Sequence, residues 1–103
     1  MIVRFENHYL ENLFTGEPVK GKPKYNDSVV KKFKKVILIL KNVESSIELA
    51  KFRGLNFEAL KGNKRGLYSV RVDIGYRLEF KLENDIIQLT EIAIIKELSN
   101  HYK

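Results

Sequence analysis

The chain has 103 residues, enough for one domain spanning 1–103 and too few for two. With 44% hydrophobic and 31% charged residues it has the balance of a folded globular protein with one modest core, not of a disordered segment. The lack of cysteine excludes disulfides, thiolate catalysis and Cys-ligated zinc, and the net charge of +6 favours encounter with polyanions without identifying one.

Taken in chain order, Met1-Ile2-Val3-Arg4-Phe5-Glu6 reads as a strand and lacks the layout of a signal peptide. No apolar run approaches the ~18 residues of a membrane helix, so a cytoplasmic protein with no membrane partner is expected. Tyr9, Leu10, Leu13 and Phe14 stand at helical spacing and predict a short helix over Asn7 to Phe14. The segment Thr15 to Lys24, with two prolines and two glycines, reads as a basic loop between helices and not as a domain boundary. Asp27 is positioned to cap the clearest helix, whose buried stripe is Val29, Phe33, Val36 and Leu40, widened by Val30 and Ile37. Lys31, Lys32, Lys34 and Lys35 fall largely on its opposite, solvated side. Ser45 and Glu48 have capping-box spacing and predict a third, short helix.

From Leu55 onward the apolar period changes from 3.6 to 2. Tyr68, Val70 and Val72 alternate with polar residues, as do Tyr76, Leu78, Phe80 and Leu82; Tyr68, Tyr76 and Phe80 are therefore assigned to the core. A turn at Glu83-Asn84-Asp85 leads to a third long strand, Ile86 to about Ile94, and the residues from Glu97 read as a polar tail or a single helical turn. Helices first and an antiparallel meander after them give an α+β fold, with the N-terminal helices on one face of the sheet and the other face left polar.

The hairpin register follows from keeping the faces separate. A three-residue loop Asp73-Ile74-Gly75, with Gly75 at positive φ, sets Val72 opposite Tyr76, Val70 opposite Leu78 and Tyr68 opposite Phe80. It also sets Arg71 opposite Arg77 on the polar face, an unfavourable like-charge pair unless an anion or a carboxylate such as Glu79 lies between them. Solvated arginines with local salt bridges are an equal reading of that pair. Lys61-Gly62-Asn63-Lys64-Arg65-Gly66 is a basic loop just upstream, a plain solvated turn taken alone and part of one basic patch if it adjoins the arginines. It lacks the ending and spacing of a P-loop. Glu91 is expected to pair with a sheet arginine, and His8 to be a surface residue or a partner contact. Two scattered histidines, His8 and His101, offer no metal site.

The run Leu60-Lys61-Gly62-Asn63-Lys64-Arg65-Gly66-Leu67-Tyr68-Ser69-Val70-Arg71-Val72, followed by Tyr76-Arg77-Leu78-Glu79-Phe80, resembles the signature of HigB-type toxins in the RelE/ParE superfamily. The ending Glu97-Leu98-Ser99-Asn100-His101-Tyr102-Lys103 resembles that of one subgroup. The resemblance implies a RelE-like fold and cleavage of mRNA in the ribosomal A site without metal or cofactor. It implies a HigA-like antitoxin with a helix-turn-helix part, operator DNA being reached only through that antitoxin. Arg71 and Arg77 match the arginines that hold the scissile phosphate in that family; Lys61, Lys64 and Arg65 match its basic loop less specifically. The chain departs from the pattern at Glu58, where many members have His, and at Asn100-His101-Tyr102, where many have Asp-Tyr-His.

On that resemblance, Arg77 and Arg71 would stabilise charge, His101 would transfer the proton with Tyr102 assisting, Glu58 would be a weaker candidate base, and Asn100 would contact substrate. Without it, His101-Tyr102-Lys103 reads as a frayed terminus. ParE-type toxins have the same fold but poison DNA gyrase and cut no RNA, and a third reading is a protein that only tunes its antitoxin's hold on DNA; the fold leaves all three open.

Overall fold

A computed structural model describes residues 1–100. The elements run β1 (Ile2–Phe5), α1 (His8–Thr15), α2 (Asp27–Asn42), two 3₁₀ turns (Ser46–Lys51 and Arg53–Leu55), β2 (Glu58–Ala59), a third 3₁₀ turn (Gly62–Lys64), β3 (Leu67–Asp73), β4 (Tyr76–Asp85) and β5 (Thr90–Ser99). The strands form one sheet in the order β1-β5-β4-β3-β2. The meander is antiparallel as expected, and β1 joins it parallel to β5, Ile2 opposite Ile92 and Phe5 opposite Ile95. From β1 the chain passes through the two helices to β2 at the opposite edge, so the parallel pair β1 and β5 joins the first and last strands and needs no hairpin between them.

Both helices begin on an asparagine. Asn7 Oδ1 accepts from the Leu10 amide at 3.1 Å, and Asn26 Oδ1 from the Val29 amide at 2.9 Å. The cap of α2 is therefore Asn26 and not Asp27, which lies one residue inside, where its charge still favours the positive end of the helix dipole. Val29, Phe33, Val36, Ile37 and Leu40 of α2 are buried, together with Leu10 of α1, against Val70, Leu78, Phe80, Ala93 and Ile95 of the sheet. Tyr68 and Tyr76 are partly buried against this core, and Phe80 is fully so.

The third helix is a 3₁₀ turn, and its predicted capping box does not form. Ser45 makes no side-chain cap bond; Glu48 accepts from the Glu44 amide at 3.2 Å. The neighbouring Ser46 donates through its amide (2.6 Å) and hydroxyl (2.9 Å) to Glu91, which thus ties the turn to β5 and is not an arginine's partner.

The end of the meander also differs from the sequence expectation. β4 continues to Asp85, whose Oδ1 accepts from the amides of Ile87 and Gln88, both at 3.0 Å, so the turn lies at 86–89 with Leu89 at φ 54°. β5 then runs to Ser99, through residues read as a tail. The register shifts between Glu79 and Phe80, with Glu79 opposite Glu97 and Phe80 opposite Ile95, so Lys96 is an extra residue in the strand. The bulge is why core residues Ile95 and Leu98 stand three apart, a helical spacing inside a strand.

Phe33 is fully buried where α2 meets the sheet. Phe33→Ala should cost about 3–5 kcal/mol, read as a lowered urea midpoint with an unchanged slope. A midpoint within error of the wild type would contradict this placement of the core.

Candidate active site

The polar face of the sheet is built by β3 and β4. Arg71 lies opposite Arg77, Val70 opposite Leu78 and Tyr68 opposite Phe80, as the face argument requires. The loop closes differently. Asp73 pairs with Tyr76 across a two-residue turn, and the register shifts between Arg71 and Asp73 so that Val72 is the extra residue. The bulge reconciles the short turn with separated faces, and Gly75 supplies the positive φ of 76°.

The two arginines have different environments. Arg71 is exposed, whereas Arg77 is only 8% exposed. Arg77 Nε donates to Ser69 Oγ at 2.8 Å, and Nη2 donates to the carbonyl of Ser69 at 3.3 Å and to that of Asn56. Glu58 Oε1 on β2 lies 3.6 Å from Nη2. A guanidinium at this depth is tolerated because its donors meet oriented acceptors, which also fix its plane. Ser69 lies in the family-like run but carries no charge, and Asn56 has neither charge nor motif; their role as acceptors is visible only once the hairpin and the left-handed turn at Asn56, φ 47°, bring them under the arginine.

Glu79 is 1% exposed and does not lie between the arginines. It accepts from Lys64 Nζ at 3.1 and 2.8 Å, so Lys64 anchors the 3₁₀ turn of the basic loop onto the sheet. Lys61 and Arg65 are exposed on that loop, and Glu58 is exposed on β2. Asn100 is exposed directly after β5. His101 and Tyr102 lie outside the described residues. His8 is a surface residue, 3.5 Å from Glu11.

A pocket of about 280 Å³ opens between Asn56, Arg71, Asp73, Ile74, Gly75 and Arg77. A larger one of about 380 Å³ lies at the far end of β4, about 27 Å along the strand, beside Glu44, Asp85 and Glu91, where a polyanion would be repelled. The described residues contain no group of three or more His, Asp or Glu side chains able to hold a metal, and none of their helices is long and apolar enough to cross a membrane.

The rim of the first pocket is held by charge. Lys32 of α2 reaches Asp73 Oδ1 at 2.9 Å, so one lysine expected on a solvated face is a structural tie. The Lys32 hydrogen bond, and then the Ile74 amide at 2.8 Å, hold the Asp73 carboxyl below the usual aspartate range. A depressed folded value makes this tie fully present above the ordinary aspartate pKa and lost as pH falls through the lowered one. A carboxyl-carbon NMR titration should place the Asp73 midpoint below the usual value in the wild type and return it toward that value in Lys32→Met. Equal midpoints in the two would contradict the tie.

Comparison with known proteins agrees with this architecture. The family model for RelE-like toxins of the type II toxin–antitoxin system HigB matches residues 3–92. No curated protein sequence matches the chain. Among solved structures, the YoeB/ParE toxin from Agrobacterium tumefaciens superposes with a TM-score of 0.60 at 18% identity, covering 99% of this chain and 100% of that one. At that identity the likeness is one of fold. The chain belongs to the HigB-like family of RelE-like toxins of type II toxin–antitoxin systems, a family membership that implies an antitoxin partner.

Proposed function

We propose that the chain, acting as one unit over 1–103, is a ribosome-dependent mRNA endoribonuclease that inhibits translation in the cytoplasm and is silenced by a HigA-like antitoxin with a helix-turn-helix part. The observation that carries this reading is the buried Arg77 guanidinium, oriented by Ser69 and Asn56 and lining one pocket with Arg71. A cation held in place and largely withdrawn from water acts on developing phosphate charge far more strongly than a hydrated one.

In the proposed reaction the ribose 2′-oxygen attacks the adjacent phosphorus as its proton passes to a base. The P–O5′ bond breaks and the leaving oxygen takes a proton, which gives a 2′,3′-cyclic phosphate and a 5′-hydroxyl. Arg77 and Arg71 would stabilise the charge on the phosphoryl oxygens. His101 would transfer a proton, assisted by Tyr102, and Glu58, beside Arg77, is the candidate carboxylate base. Lys61, Arg65 and Asn100 would contact the RNA, with Lys64 acting through the loop it anchors. Every group in this scheme is a side chain, and neither a metal nor a cofactor enters it. Operator DNA would be reached only through the antitoxin.

Arg77→Ala should lower cleavage of mRNA on programmed ribosomes by about 10²–10³-fold, the usual cost of removing an oriented charge-stabilising donor. Antitoxin binding should persist. Cleavage at the wild-type rate would refute the assignment, and inhibition of DNA gyrase by the wild type without RNA cleavage would establish the ParE-type alternative.

A further inference from the structure

Two concavities meet at Asn56. One is the arginine pocket; the other, of about 320 Å³, is walled by Ala50, Phe52, Arg53, Asn56 and Phe57. Its volume lies at the low end of small-ligand sites.

This second pocket has a composition that packing does not require. Phe52 is 43% exposed and stands outside the hydrophobic core, on the link between the 3₁₀ turns Ser46–Lys51 and Arg53–Leu55. The turns hold it from both sides, its amide donating to Leu49 at 3.2 Å and its carbonyl accepting from Leu55 at 3.0 Å. Phe57 forms a fixed wall, its ring stacked on Tyr68 at 5.6 Å and on Phe80 at 6.2 Å. Arg53 adds an exposed guanidinium, and Asn56 adds an amide.

An exposed aromatic ring beside a second, partly buried one, with an arginine and an amide, is what holds an unstacked nucleobase, by its face and by its edge. A purely aliphatic ligand would use the rings and leave the polar groups unengaged. The position narrows the choice further, because Asn56 lines both pockets and its carbonyl accepts from Arg77. A phosphate between the arginines would therefore have its neighbouring nucleotide at the aromatic pocket.

We propose that the pocket of Phe52, Arg53, Asn56 and Phe57 binds the nucleobase flanking the phosphate held by Arg71 and Arg77, and so sets the base preference of the cut. This rests on the reading that the chain acts on RNA. Stacking on Phe52 contributes the affinity, and Arg53 and the Asn56 side chain discriminate among base edges.

The test is to map cuts made on ribosomes programmed with mRNAs that vary each base around the cleavage site. The wild type should show a preference at one flanking position, and Phe52→Ala and Phe52→Leu should each flatten it about tenfold while still cutting. The leucine variant keeps apolar bulk without a ring face, which separates stacking from packing. An unchanged preference in both variants overturns the inference and leaves the cleavage reading standing.

If the wild type cuts no RNA, the cleavage reading falls, and the pocket is then read by NMR. In the full chain with labelled phenylalanine, the Phe52 ring signal should move with a short single-stranded oligoribonucleotide and far less with the same oligomer bearing an abasic position. Equal or absent movement with the two oligomers overturns the proposal.

Discussion

Arg77 lies against the polar face of the sheet with its donors directed at Ser69 and at the carbonyl of Asn56, and much of the molecule serves that placement. A charge so little exposed has to be met by acceptors in fixed positions. Ser69 is in place because β3 and β4 pair in one register, and that register survives a two-residue turn only through the bulge at Val72. Asn56 is in place because the chain turns through a left-handed residue before β2. The Lys64–Glu79 pair holds the basic loop beside the same face, and Lys32 secures the hairpin from the helix side. Among the described residues, every buried side-chain nitrogen or oxygen has a hydrogen-bond partner.

Charge then separates along the sheet. The arginines, Arg71 on β3 and Arg77 on β4, flank the β3–β4 turn, whereas the far end of β4 carries Asp85, Glu91 and three exposed aliphatics, Ile86, Ile87 and Leu89. In a chain with a net charge of +6, the pocket of Arg71 and Arg77 is where long-range attraction would deliver a polyanion.

The parts legible in the sequence were those governed by periodicity. The stripe of α2 and the opposition of Arg71 and Arg77 follow from keeping apolar residues on one side, and the resemblance to HigB-type toxins agrees with the family match. What escaped had local causes that periodicity does not encode. An asparagine outcompeted the adjacent aspartate as a cap, and the side chain of Asp85 moved a turn downstream. A bulge at Lys96 gave a strand a helical spacing. Within the site the charged residues stand out in the sequence, Ser69 shows only as a member of the family-like run, and Asn56 gives no signal. Ser69 and Asn56 act through a hydroxyl and carbonyls, groups whose significance depends on what folds above them. The exposure of Phe52 is a property of the folded chain that no periodicity in the sequence marks.

A solved toxin that superposes on this chain is named for both YoeB and ParE, so architecture does not select the target. That this chain cuts mRNA is tested most directly by mapping mRNA 5′ ends after a brief pulse of the protein in growing bacteria. Ribosome-dependent cleavage predicts new 5′-hydroxyl ends inside translated codons, in frame with the ribosome. Growth arrest without new ends would contradict it and leave the buried arginine without the reaction assigned to it.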